Sequence, residues 1–189
     1  GVFEEFGGYM KNIKDNTVVH KKNLVIILVS IIGMITLIFF SMYRYFDIGF
    51  WSPVEFFAEI MIIFVLIYRA EIKVTCELEK KSIRITKKSW LGSQVFDIPY
   101  QSVFGMYRYV PKLISTVKFR RTYRLHSALD PRPVWTLAYQ VEKNGKTENQ
   151  RIYYKVGEEF LNGLQDRLPN KVGVSEEQVL RNIILAKKP

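Results

Sequence analysis

The chain has 189 residues, enough for one modest domain with an additional segment. It is 48% hydrophobic yet 24% charged, a mixture that a uniform globule does not show, and its net charge is +10. A single cysteine, Cys76, excludes an intrachain disulfide, and with only His20 and His126 beside it there is no basis for a His/Cys metal site.

The apolar residues concentrate between Asn23 and Tyr68, and the charges after Arg69. Asn23 to Tyr43 runs without a charge between Lys22 and Arg44, about 20 residues, the length that crosses roughly 30 Å of hydrocarbon. A signal peptide fits poorly because Tyr43-Arg44-Tyr45-Phe46 is not a small-residue cleavage site. A second apolar helix is predicted over 53–69. Ser52 serves as N-cap, Pro53 as the first helical residue and Glu55 as the third, with Trp51 and Phe56 placed to form a hydrophobic staple. Lysines 11, 14, 21 and 22 precede the first segment and Arg69, Lys73, Lys80 and Lys81 follow the second, with only Arg44 between. The positive-inside rule then predicts a multi-pass inner-membrane protein with both termini cytosolic. Glu59 lies within the second segment, where a bare carboxylate costs several kcal/mol. A hydrogen bond to Thr36, a pairing with Arg44, a proton or ion role and a contact with another subunit are all open for it.

Beyond Arg69 the period changes to two. Ile72, Val74 and Cys76 alternate with Lys73, Thr75 and Glu77, and Ile83 and Ile85 with Arg84 and Thr86. Further strands are predicted over 95–98, 102–109, 113–119, 134–142 and 147–154, with Asn144-Gly145 a strong hairpin turn between the last two. A helix over 157–168 places Phe160, Leu161, Leu164 and Leu168 on one stripe before Pro169, and Ser175 caps a last helix ending at Lys187 and Lys188.

Residues Leu78-Glu79-Lys80-Lys81-Ser82-Ile83-Arg84-Ile85 and Val95-Phe96-Asp97-Ile98-Pro99-Tyr100-Gln101-Ser102-Val103 carry a resemblance to the bacterial pleckstrin-homology-like membrane proteins of the YcxB-like and YdbS-like kind. There a strand ending in Ile-Pro is followed by a polar residue and the next strand. The resemblance spans roughly residues 23 to 168. It implies an α+β chain: a two-helix transmembrane hairpin, then a seven-stranded, partly open β-barrel capped by a helix, with binding rather than catalysis as its role. The corresponding organisation is an N-terminal segment (1–22), a hairpin (23–69, helices 23–43 and 53–69), a barrel domain with its capping helix (70–168) and a linker with a terminal helix (169–189).

The most basic stretch runs from Lys112 to Arg132. It gathers Lys112, Lys118, Arg120, Arg121, Arg124 and Arg132 against one acid, Asp130, with Phe119 and Tyr123 interleaved. Contact with anionic lipid headgroups, each cation contributing about 1 kcal/mol near the surface, is the functional reading. A solvated loop and a protein partner are its rivals. Nucleic acid is disfavoured by the lack of a glycine-rich aromatic strand signature. Lys80, Lys81 and Arg84 form a smaller set that reads as a solvated turn. No nucleophile–base constellation, cofactor motif or metal cluster is evident, so the expected function is a non-enzymatic membrane-anchored scaffold. The alternative is an accessory subunit of a larger membrane complex.

Overall fold

The structure, a computed structural model, describes residues 12–111 and 118–187. Strand β1 (Ile13–Asn16) leads into helix α1 (Lys21–Ile48), which turns back through Gly49 into α2 (Pro53–Glu71). Strands β2 (Lys73–Leu78), β3 (Ser82–Ser89) and β4 (Gly92–Pro99) follow, then a 3₁₀ turn and β5 (Val103–Arg108). The remainder is β6 (Arg121–Leu125), β7 (Val134–Lys143), β8 (Lys146–Lys155), α3 (Glu158–Arg167) and α4 (Glu176–Lys187).

The strands form two four-stranded sheets, ordered β1-β2-β3-β4 and β5-β7-β8-β6. One core lies between them, built from Val74, Cys76, Leu78, Ile83 and Ile85 of the first sheet and Met106, Leu125, Leu137, Ile152 and Tyr154 of the second. Helix α3 closes it with Phe160 and Leu164, both fully buried. Helix α4 covers the outer face of the second sheet, where Val179 and Ile183 pack on Phe104, Tyr107 and Ala138.

This architecture replaces the expected seven-stranded barrel. Strand β1 escapes sequence reading because Ile-Lys-Asp-Asn is short and polar; it is a strand only through its ladder to β2, with Ile13 opposite Leu78 and Asn16 opposite Thr75. The strand expected over 113–119 falls largely outside the described residues, and the pairing runs instead through Arg121–Leu125, parallel to β8. A parallel neighbour is not part of an up-and-down barrel, and side-chain alternation carries no sign of strand direction.

The expected pair of spanning helices is also corrected. Among the described residues one helix, α1, is long and apolar enough to cross a membrane. Helix α2 has 19 residues and carries Glu55, Glu59, Arg69 and Glu71, so a multi-pass, two-span arrangement is not supported. Its start follows the sequence reading: the Glu55 backbone N–H donates to Ser52 Oγ at 3.4 Å, and the Trp51 and Phe56 rings lie 6.1 Å apart.

The two helices and their connections join β1 to β2, which are antiparallel neighbours. The arm is therefore an insertion between two strands that pair at its base. Thr17 locks that base. Its N–H donates to the Val74 carbonyl at 3.0 Å, and its Oγ1 accepts from the Val74 N–H at 2.8 Å.

Helix α4 approaches β5 closely at Gly105, where a Cβ would lie 2.7 Å from Val179 Cγ2 and 3.3 Å from the Lys171 carbonyl. Gly105→Ala is expected to cost about 1–3 kcal/mol through overpacking and to loosen α4 selectively. Limited trypsin digestion should then cleave at Arg181 sooner than in the parent protein.

Candidate functional site: two basic faces at opposite ends of the domain

The arm is polar inside and apolar outside. Ser41 is the buried residue of α1 and Glu59 that of α2. Ser41 Oγ lies 3.4 Å from Glu59 Oε1, and Arg44 holds Glu55 through two bonds of 2.8 and 2.9 Å. Outside, twenty-five large apolar side chains between Leu24 and Ile67 are exposed. That area is several times the few hundred Å² that soluble monomers leave in one apolar patch. The predicted contact between Glu59 and Thr36 is not made. Thr36 Oγ1 donates to its own helix at the Ile32 carbonyl, 2.9 Å away, and Arg44 is taken by Glu55.

At the root, both helices are held by the turn after β6. The Ala128 N–H and Ser127 Oγ donate to the Arg69 and Ala70 carbonyls, at 2.9 and 3.1 Å, satisfying acceptors left free at the end of α2. On the other side the His20 N–H donates to the Leu129 carbonyl at 3.0 Å, and the Val18 N–H to Asp130 Oδ2 at 3.2 Å.

Beneath this turn sits Arg132, which bridges two acids. Its Nη1 contacts Asp15 at 2.8 and 3.0 Å, and its Nε and Nη2 contact Asp130 at 3.0 and 2.9 Å. Nη2 also donates to the Asn16 carbonyl at 2.9 Å. Asp130 is 2% exposed, Asp15 14% and Arg132 18%. Burial pushes the Asp130 carboxyl upward, but hydrogen bonds from the Arg132 side chain and backbone and from Val18 overcome it and hold the group below its ordinary value. Lys155 Nζ donates to the Ser127 and Asp130 carbonyls at 3.2 and 2.7 Å and so braces the same turn. Arg132, expected to meet phosphates, is instead the cross-link between β1 and the turn.

The outer face of the first sheet shows a contrast in charge. Away from the root, Lys14, Glu77, Arg84 and Asp97 stand opposite one another across the four strands in alternating sign. Arg84 is also 3.0 Å from Glu79, so it is satisfied within the domain. Next to the root, Lys73 stands directly opposite Lys88, both exposed. Like charges in that position repel. The root also carries Lys21 and Lys22 at the start of α1 and Arg69 at the end of α2, while Lys87, next to Lys88, is bonded to Tyr68 Oη at 2.9 Å. The adjoining turn exposes Trp90 (53%) and Leu91 (69%), with the Trp90 ring 5.1 Å from Phe64 of the arm.

The predicted basic stretch lies elsewhere. Lys112 is outside the described residues. Lys118 and Arg120 converge with Lys146 and Lys187, which sequence reading missed, around a cavity of 760 Å³ at the far end of the second sheet. Its apolar wall is Phe104, Phe119 and Ile183, and Glu148 is its one acid, 3.7 Å from Arg120. Arg121 is exposed, 3.4 Å from Tyr123 Oη, and does not line the cavity. Arg124 is exposed on β6 nearer the root. Strand β8 separates the two faces, with Lys155 at the root and Lys146 at the cavity, roughly 30 Å apart at 3.3 Å per residue. The missed partners come from a hairpin tip and a helix end, which no local sequence pattern connects to residues 118–120.

The chain matches no family model, no curated protein and no solved structure.

Arg132→Ala strands the Asp15 and Asp130 carboxylates together in a largely buried site. It is expected to cost about 3–5 kcal/mol, read as a lowered thermal midpoint in detergent. His126 gives a pH prediction. Burial, then the charges of Lys155, Arg124 and Arg69, push it down to about 4 from an ordinary 6.5. The unfolded chain therefore binds the proton first, and stability falls as pH drops from about 6.5 toward 4. His126→Gln should flatten that part of the stability profile, measured by thermal unfolding across pH.

Proposed function

We propose that this protein is a non-catalytic, membrane-associated docking module. Helix α1, the long apolar helix of its arm, enters the hydrocarbon of a bilayer, and the basic collar at the arm's root rests on anionic headgroups. The inside-out arm carries this reading. Water penalises that apolar surface at about 25 cal/mol per Å², and hydrocarbon removes the penalty. The polar pair Ser41–Glu59 faces inward, as polar groups at membrane depth do, while Arg44 and Glu55 neutralise each other as a half-exposed ion pair.

The root supplies what an interface needs. Trp90 presents an amphipathic ring at the level where the arm leaves the domain, its backbone N–H donating to Glu71, with the exposed Lys73–Lys88 pair on the same sheet and Lys21, Lys22 and Arg69 at the helix ends of the root. An anionic headgroup between Lys73 and Lys88 converts their mutual repulsion into two attractions. Of the predicted lipid contacts, Arg120, whose backbone N–H donates to the Asn149 carbonyl, lies roughly 20 Å along β8 from this level, more than two Debye lengths at physiological salt. The lipid-binding role therefore moves from those residues to the collar. A buried thiol at Cys76, its pKa raised by burial, offers no nucleophile, which supports a binding role. The accessory-subunit reading drew on Glu59 as an outward contact, and Glu59 faces inward.

The test is reconstitution of the full chain into vesicles, with Trp51 and Trp135 replaced by Phe so that Trp90 reports alone. Trp90 emission should shift to the blue and be quenched by lipids brominated near the headgroup end of the acyl chain. Lys73→Glu with Lys88→Glu should lower the preference for anionic over neutral vesicles by about tenfold or more, at about 1 kcal/mol per cation. A full chain that stays monodisperse in water without detergent, or a Trp90 untouched by the quencher, defeats the proposal.

A further inference from the structure

The cavity at the far end of the second sheet has no part in that proposal, and its composition is specific. Lys118, Arg120, Lys146 and Lys187 reach it from three separate places: the approach to β6, the tip of the β7–β8 hairpin and the last turn of α4. Lys118, Lys146 and Lys187 form no ion pair among the described residues. Arg120 meets Glu148 at 3.7 Å, longer than a hydrogen bond, and Glu148 Oε2 is buried with no partner. Gln140, Thr147 and Asn149 add neutral polar groups, and Phe104, Phe119, Ile183 and Ala186 an apolar surface.

We propose that this groove binds an acidic peptide segment of a partner protein, one that sets Asp or Glu side chains beside an aromatic or aliphatic residue. Four cations against one carboxylate leave a strong local excess of positive charge, and complementary charge both steers and selects such a segment. The apolar wall supplies the burial that charge alone does not. At 760 Å³ the cavity is large for a single inorganic anion and suits several side chains.

Two other anionic ligands fit less well. A nucleic acid strand needs open aromatic faces for stacking. Phe104 is buried, and the Phe119 ring is covered by the Arg151 guanidinium 4.8 Å from its centroid. A membrane surface at the arm's root is roughly 20 Å along β8 from the groove's near edge at Asn149 and roughly 30 Å from Lys146. Bound at its lipid face, the protein thus keeps this groove turned toward the aqueous phase.

The experiment uses the full chain in neutral detergent and a fluorescent twelve-residue synthetic peptide alternating Glu with Phe and Leu, followed by anisotropy. Binding should be saturable and weaken with salt. Arg120→Glu with Lys146→Glu should lower affinity about tenfold or more, as expected for reversing close charges at an interface. Glu148→Gln removes the one competing carboxylate and should raise affinity, an effect that misfolding does not imitate. Lys73→Glu with Lys88→Glu should leave peptide binding unchanged, which keeps this result separate from the lipid test. Absence of binding, or binding indifferent to the Arg120 and Lys146 changes, overturns the proposal. So does stronger displacement of the peptide by a single-stranded oligonucleotide or by anionic vesicles than by unlabelled peptide.

Discussion

The guanidinium of Arg132 joins parts of this molecule that lie far apart in sequence. It ties Asp15 on β1 to Asp130 in the turn after β6, and that turn in turn holds the ends of both helices of the arm. Between β1 and β2 the chain runs out through the arm and back, and closing so long an insertion costs entropy that the ladder itself must offset. A four-residue ladder would fray. The cross-link fixes it, because pulling β1 away would cost Arg132 its bonds to Asp15 and to the Asn16 carbonyl and leave the Asp15 carboxylate unpaired. A rigid root follows, and with it a fixed relation between the direction of the arm and the plane of the collar.

That rigidity gives the charge distribution its meaning. A net charge of +10 spread evenly would only promote general attraction to anions. The fold sorts it. Charges on the outer face of the first sheet alternate in sign away from the root and coincide in sign next to it. A second excess gathers around the cavity at the other end of β8. Screening makes the two nearly independent at physiological salt, so one face can engage a surface while the other engages something else.

Much of the secondary structure was legible beforehand. The Ser52 N-cap, the alternation from Ile72 to Thr86, the Asn144-Gly145 turn and the stripes of the last two helices all appear where the pattern puts them, because each rests on contacts within a few residues, whereas the Glu55 half of the expected capping box is diverted to Arg44. The departures share the opposite property. Strand β1 depends on a partner beyond the whole arm, and β6 depends on a parallel neighbour. Arg132 reads as one more cation in a basic stretch until Asp15 is brought beside it.

By itself the sequence determined the local periods: a long apolar helix, a basic chain with one thiol, a run of strands and two amphipathic helices. Those follow from backbone geometry and from which side chains water excludes. Only the tertiary structure decided that the strands divide into two sheets, that the arm is an insertion rather than a leading segment, and that Lys146 and Lys187 rather than Arg121 complete the basic cavity. The reason is physical. Pairing direction, ion pairs between distant residues and the convergence of like charges are properties of positions in space, and the chain reaches those positions only when its core has closed.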